Sequence, residues 1–217
     1  MFRKLSILFV FISLFSFLSC NSANNNTKNS NTNVAEIKKG VTPVADNEIA
    51  VIEMEQPAFG TIKIELYSNI APLMVARFKE LAKEGFYNGT TFHRINQSVI
   101  QGGDPNSKDN DPTNDGAGGS DKPNVPAEFS DIPFETGIVG AARGADNNSA
   151  NSQFFIMLKP EPGFNNRYTV FGKVIEGMNN VRTISGVPTG KSVSDSRMPE
   201  RPLDDVKIKQ ITIQPRQ

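Results

Sequence analysis

Between residues 48 and 67 the chain alternates apolar and polar positions in two runs, EIAVIEME (48–55) and FGTIKIELY (59–67). Both are rich in β-branched residues and are separated by Gln56–Pro57–Ala58, so they predict a β-hairpin. The period then lengthens. In PLMVARFKELAKE (72–84) Val75, Phe78, Leu81 and Ala82 fall on one helical face, Pro72 suits the first turn, and Gly85 can end the helix. Strand-like segments follow at 91–95, 98–101, 137–142, 153–158 and 168–175, then a short helix around 178–184 and a last strand, VKIKQITI (206–213). The connection 104–127, rich in Gly, Pro, Asn and Asp, reads as loop. Many short strands with two helices predict a mainly β fold, a closed antiparallel barrel that leaves few strand edges exposed. With no internal repeat and no second composition regime, one domain over 47–217 is the economical reading.

The first twenty residues follow neither period. MFRKLSILFVFISLFSFLSC carries Arg3 and Lys4, then runs without a charge from Leu5 to Ser19. That is the layout of a signal peptide, over 1–19, and it is short for a bilayer-spanning helix, which needs about 20 apolar residues. Cys20, directly after it, resembles the lipidated cysteine of bacterial lipoproteins, although Phe17 stands where a smaller aliphatic residue is usual. An uncleaved anchor, or a plain signal peptide with an incidental cysteine, are the alternatives. Each makes the remainder an exported domain, placed by the lipoprotein reading in the cell envelope, on the periplasmic side or the cell surface. Residues 21–33, NSANNNTKNSNTN, hold no large apolar side chain and predict a flexible tether within 20–46, with order starting near Asn47. Thirteen such residues span roughly 20 Å root-mean-square.

Charge is balanced at 23 basic against 23 acidic residues, which removes the electrostatic case for a nucleic-acid partner. With Cys20 taken by the anchor, the domain has no thiol for a disulfide, a metal site or a nucleophile. His93 is the single histidine. A zinc site would need three or more carboxylates and no tight cluster of them appears. The Asp/Asn-rich 104–115 stretch leaves calcium open, but its spacing matches no EF-hand. GVPTGKS (186–192) has three residues between its glycines where a phosphate loop needs four. Ser98, His93 and Asp104 lack the surroundings of a hydrolase triad. GAGG (116–119) permits close backbone approach and says no more.

What remains is TTFHRINQSVIQGGDP (90–105). FHRI (92–95) followed by VIQGGD (99–104) resembles the signature of cyclophilins, the peptidyl-prolyl cis-trans isomerases. FKELAKEGFYNGTTFHR (78–94), GIVGAARGADNNSANSQFFIML (137–158), RYTVFGKVIEGMNNVRTI (167–184) and RPLDDVKIKQITI (201–213) continue the resemblance in order, over nearly all of 48–213. It implies a closed eight-stranded β-barrel capped by two helices, with the site on its outer face. It also implies an isomerase that needs no cofactor and no metal, and proline-containing polypeptides as partners.

Carried over by position, the resemblance makes Arg94 the catalytic arginine and Gln101 its orienting neighbour, also bonding substrate backbone. Phe155 would floor the proline pocket, Phe164 and Tyr168 would line it, and Val99 with Ser98 would form one wall. Ala142 and the backbone at Arg143 would bind the residue before the proline. His93 is either structural support or a substrate contact. Phe92, Phe154 and Phe171 are read as core. Two departures stand out. Nine positions separate Phe92 from Gln101 where the family has ten, which thins the pocket wall. Gly163 lies where many eukaryotic members carry a tryptophan, which implies weak cyclosporin binding. A proline-peptide binding module with little catalysis is the alternative function. A monomer is expected.

Overall fold

The hairpin forms as β1 (Glu48–Met54) and β2 (Thr61–Leu66), joined by a 3-10 turn at Pro57–Phe59. Its register sets Ala50 opposite Ile64 and Ile52 opposite Ile62, so the alternate apolar side chains share one buried face. The computed structural model describes residues 36–190 and 200–217. The signal-like segment 1–19, Cys20 and the tether as far as residue 35 lie outside them.

Six further strands complete the main sheet: β3 (Arg94–Ile95), β4 (Val99–Gly102), β5 (Ile138–Ala141), β6 (Phe154–Met157), β7 (Val170–Glu176) and β10 (Ile208–Pro215). The strand order is β10-β1-β2-β7-β5-β6-β4-β3, and neighbours run antiparallel throughout. The two ends of that order meet. Phe92 N–H donates to the Val206 carbonyl at 3.0 Å, and Ile208 N–H to that of Thr90 at 2.8 Å. The antiparallel sheet is thereby curled into a half-barrel around its core, in keeping with the mainly β architecture that the sequence predicts. A two-stranded ribbon, β8 (Thr189–Gly190) with β9 (Arg201–Pro202), was not foreseen.

Helix α1 (Pro72–Lys83) buries Met74, Val75, Phe78, Leu81 and Ala82. Ala71 offers no side-chain cap, so the first turn's free N–H groups find one elsewhere. The Glu128 carboxylate accepts from Leu73 N (3.1 Å) and Met74 N (2.9 Å). Helix α2 (Met178–Ser185) buries Val181 and Ile184. Inside, Phe78 meets Phe154 edge-on at 5.4 Å, and Tyr87, Phe92 and Phe171 complete the aromatic interior.

Order begins earlier than Asn47. Lys38 N donates to Phe129 O (2.9 Å), Asp131 N to Lys38 O (3.0 Å), and Lys38 Nζ to Ile70 O (2.6 Å). Asp46 accepts from Lys79 Nζ at 2.6 Å and from Ser68 Oγ at 2.7 Å. Residues 36–46 are therefore docked on the domain by polar bonds, which no hydrophobic period announces.

Candidate active site

Strand alternation sorts the signature residues between two faces. On β6, Phe154 and Ile156 point into the core, while Phe155 and Met157 belong to a second apolar cluster outside it, with Val99, Phe134, Ile138, Ala142 and Val170. Directly opposed pairs then line up across four strands: Arg94 faces Gln101, Gln101 faces Phe155, and Phe155 faces Gly140. Gly140 is required there, because a Cβ on it would stand 2.3 Å from the Phe155 ring.

The polar end of this row is a chain of hydrogen bonds. Arg94 Nη1 donates to Gln101 Oε1 (3.1 Å), and Gln101 Nε2 donates to Gln153 Oε1 (2.9 Å). Gln153 Nε2 donates in turn to the carbonyls of Gly118 (2.8 Å) and Gly116 (3.0 Å). A carbonyl only accepts, so the loop fixes which way both amides face and turns the Gln101 oxygen toward the arginine. That loop is the GAGG stretch, wrapped on the buried Asp104 carboxylate, which accepts from the Gly116 and Gly118 N–H groups. A Cβ on Gly118 would stand 2.2 Å from Asp104 Oδ1, so its glycine serves a carboxylate of the chain itself. On its other edge Arg94 Nε donates to Glu200 Oε2 at 2.6 Å. Neither Gln153 nor Glu200 was singled out from the sequence.

The apolar end is aromatic. Phe155, Phe164 and Tyr168 have ring centroids 4.9 to 5.6 Å apart, and Phe134 stacks on Phe155 at 5.8 Å. Phe155 is 2% exposed beneath the half-buried Phe164 and Tyr168. The Arg143 guanidinium lies 4.7 Å from the Tyr168 ring centre, and its N–H groups bond the carbonyls of Arg167 and Gly144. Sequence reasoning assigned Arg143 only its backbone. Val99 packs into the same cluster, whereas Ser98 gives its hydroxyl to Glu161 at 3.2 Å. A polar cavity of about 300 Å³ adjoins the row through Gln101 and Gln153, lined also by Ala142, Arg143 and Asn151.

His93 is the one candidate the structure sets apart. Beside outward Arg94, it points inward, 2% exposed, and neither ring nitrogen meets a partner among the described residues. Burial pushes its pKa down, against the pull of Asp104 and Asp115. It lines no part of the face, so its substrate-contact reading is replaced by a structural one. Among the described residues no group of three His, Cys, Asp or Glu side chains is placed to hold a metal ion.

Comparison with known proteins gives a consistent result. The model of the family described as cyclophilin type peptidyl-prolyl cis-trans isomerase/CLD matches residues 50–213. A probable peptidyl-prolyl cis-trans isomerase of Brucella suis is 47% identical over 130 residues, covering 58% of this chain and 66% of that protein's own length. The mouse peptidyl-prolyl cis-trans isomerase-like 1 is 36% identical over 157 residues, covering 70% of this chain and 86% of the relative. A crystal structure of a Cryptosporidium parvum cyclophilin type isomerase, obtained in the presence of the dipeptide Ala-Pro, superposes with a TM-score of 0.66 at 28% identity. It covers 77% of this chain and 99% of that one.

Proposed function

The chain belongs to the cyclophilin-type peptidyl-prolyl cis-trans isomerases, and from that premise we propose that Arg94, Gln101 and the aromatic cluster around Phe155 form its isomerase centre. The observation that carries this is the cross-strand row Arg94–Gln101–Phe155, which sets a fixed cation beside an apolar floor.

Turning an X–Pro bond breaks no covalent bond, but amide resonance opposes it with a barrier of roughly 18–20 kcal/mol. As the bond twists, the proline nitrogen becomes pyramidal and can accept a hydrogen bond. Arg94 supplies the donor, being permanently charged and able to present several N–H groups in a fixed fork. A charge-assisted bond formed only in the twisted state is worth about 1.5–3 kcal/mol, or roughly 10- to 150-fold in rate. Phe155, Phe164, Tyr168 and Val99 would hold the proline ring, and the cavity beside Gln101, Ala142 and Arg143 would hold the preceding chain. Water exclusion and orientation would supply the rest.

The clients in this reading are exported polypeptides, reached from a lipid anchor on Cys20. What supports that is the signal-like run before Cys20 in the sequence. Incorporation of labelled palmitate into the wild-type chain, and none into Cys20→Ser, is the expected result; equal labelling of both sinks the anchor.

A second reading, a proline-peptide binding module with little catalysis, is favoured by the tight cover of Phe164 and Tyr168 over Phe155. Isomerase assays of the full chain in mild detergent, on a series of X–Pro peptides, separate the two. Acceleration that collapses in Arg94→Ala supports the enzyme. Peptide binding by the folded wild type without acceleration supports the module.

A further inference from the structure

Glu200 enters the site from a different part of the chain, and its segment does not need its carboxylate to stay in place. The Glu200 carbonyl already accepts from Ile95 N at 2.7 Å. The next residue, Arg201, donates from Nε to the buried Asp115 carboxylate at 2.7 Å and from Nη2 to Asp205 at 3.0 Å. The residue is thus pinned alongside β3 by main-chain and neighbouring bonds. Its side chain is left to turn toward the catalytic residue, where Oε2 accepts from Arg94 Nε (2.6 Å) and from Asn96 Nδ2 (3.1 Å).

Gln101 holds the guanidinium through Nη1, and Glu200 holds it through Nε. Two partners on two different nitrogens fix the plane of the group, which one partner alone leaves free to swivel. Among the described residues nothing accepts from Nη2, the nitrogen that neither partner holds. We propose that Glu200 is a positioning residue of the isomerase: by gripping the Nε edge, it holds Arg94 in the plane from which Nη2 meets the pyramidal proline nitrogen. The half-exposed carboxylate (37%) contributes little as an ion pair in itself. Its part is geometric, and an uncharged acceptor can fill it.

This inference rests on the reading of Arg94 as catalytic, and the test keeps the two apart. Glu200→Ala, Glu200→Gln, Arg94→Ala and the double variant Arg94→Ala/Glu200→Ala are compared in the full chain by saturation kinetics on an X–Pro peptide. Loss of one orienting bond predicts a fall of about tenfold in kcat for Glu200→Ala with KM nearly unchanged. Glu200→Gln, which still accepts from Nε, restores most of it. In nitrogen-15 spectra the Arg94 Nε–H signal should persist in wild type and Glu200→Gln and broaden away in Glu200→Ala, whose thermal melt stays near wild type. The double variant should be no slower than Arg94→Ala, because Glu200 acts only through the arginine.

A Glu200→Ala enzyme at or above wild-type activity, beside a crippled Arg94→Ala, overturns the inference and leaves the site assignment standing. A further drop in the double variant overturns it too, since Glu200 would then act by another route. Full activity in Arg94→Ala sinks the site assignment and this inference together.

Discussion

Two apolar clusters lie on opposite faces of the same short strands, and neighbouring residues are divided between them. Phe154 is fully buried among Phe78 of α1, Tyr87 and Phe92. Phe155, one residue on, is nearly as buried, yet two of the rings packed on it, Phe164 and Tyr168, are themselves only half-buried. The same split separates inward His93 from outward Arg94. In the proposed function equal burial therefore stands for different work: the inner cluster holds the fold, while the outer one is a surface that a ligand can share. Adjacent positions in this chain teach opposite lessons when replaced.

Phe154→Ala should break the inner cluster, costing about 3–5 kcal/mol of stability in a denaturant melt. The fraction still folded should turn over substrate nearly as wild type does. Phe155→Ala should invert that pattern. Losing a contact of phenylalanine size removes about 1.5–3 kcal/mol of pocket binding, or roughly 10- to 150-fold in kcat/KM, with a smaller stability loss than Phe154→Ala. If the two variants behaved alike, the division between fold and site would be wrong. Gly140→Ala probes the outer face by overfilling: its methyl meets the Phe155 ring, so about 1–3 kcal/mol of strain is expected. Some of that loss should appear as weakened peptide binding.

The smallest effect concerns His93. Its folded pKa is depressed, chiefly by burial, while the unfolded side chain titrates near about 6.5. Below that pH the unfolded chain takes up a proton that the folded one refuses. Stability should hold above pH ~7 and decline as pH falls through the window beneath ~6.5, at most by about 1.4 kcal/mol per pH unit. His93→Gln should flatten that stretch of the stability curve, and kcat/KM of the folded variant should change little.

Much of this was legible in the string. Alternation and β-branching marked the main strands, and Phe78, Leu81 and Ala82 marked the buried face of α1, because burial on one side of a regular element leaves a period. Arg94, Gln101 and Phe155 came from likeness to a family, and the register sets them in one row. Polar bonds across long separations leave no such period. Glu200 reaches Arg94 across 106 positions, and Glu128 caps α1 across 54 and 55. The arm 36–46 docks through Lys38 and Asp46 in a stretch with no apolar pattern. Nor did GAGG reveal that it wraps Asp104, since a glycine run states only that side chains are excluded and not by what.

The run of bonds that aims Arg94 ends on the main-chain oxygens of Gly116 and Gly118. Every residue type carries that oxygen. The exposed Ala117 side chain between them can therefore be exchanged, provided that Asp104 and its glycines keep the backbone in shape. In the proposed site the surface beside Arg94 is thus open to change, while the aim of its side chain rests on main-chain atoms that a substitution leaves in place.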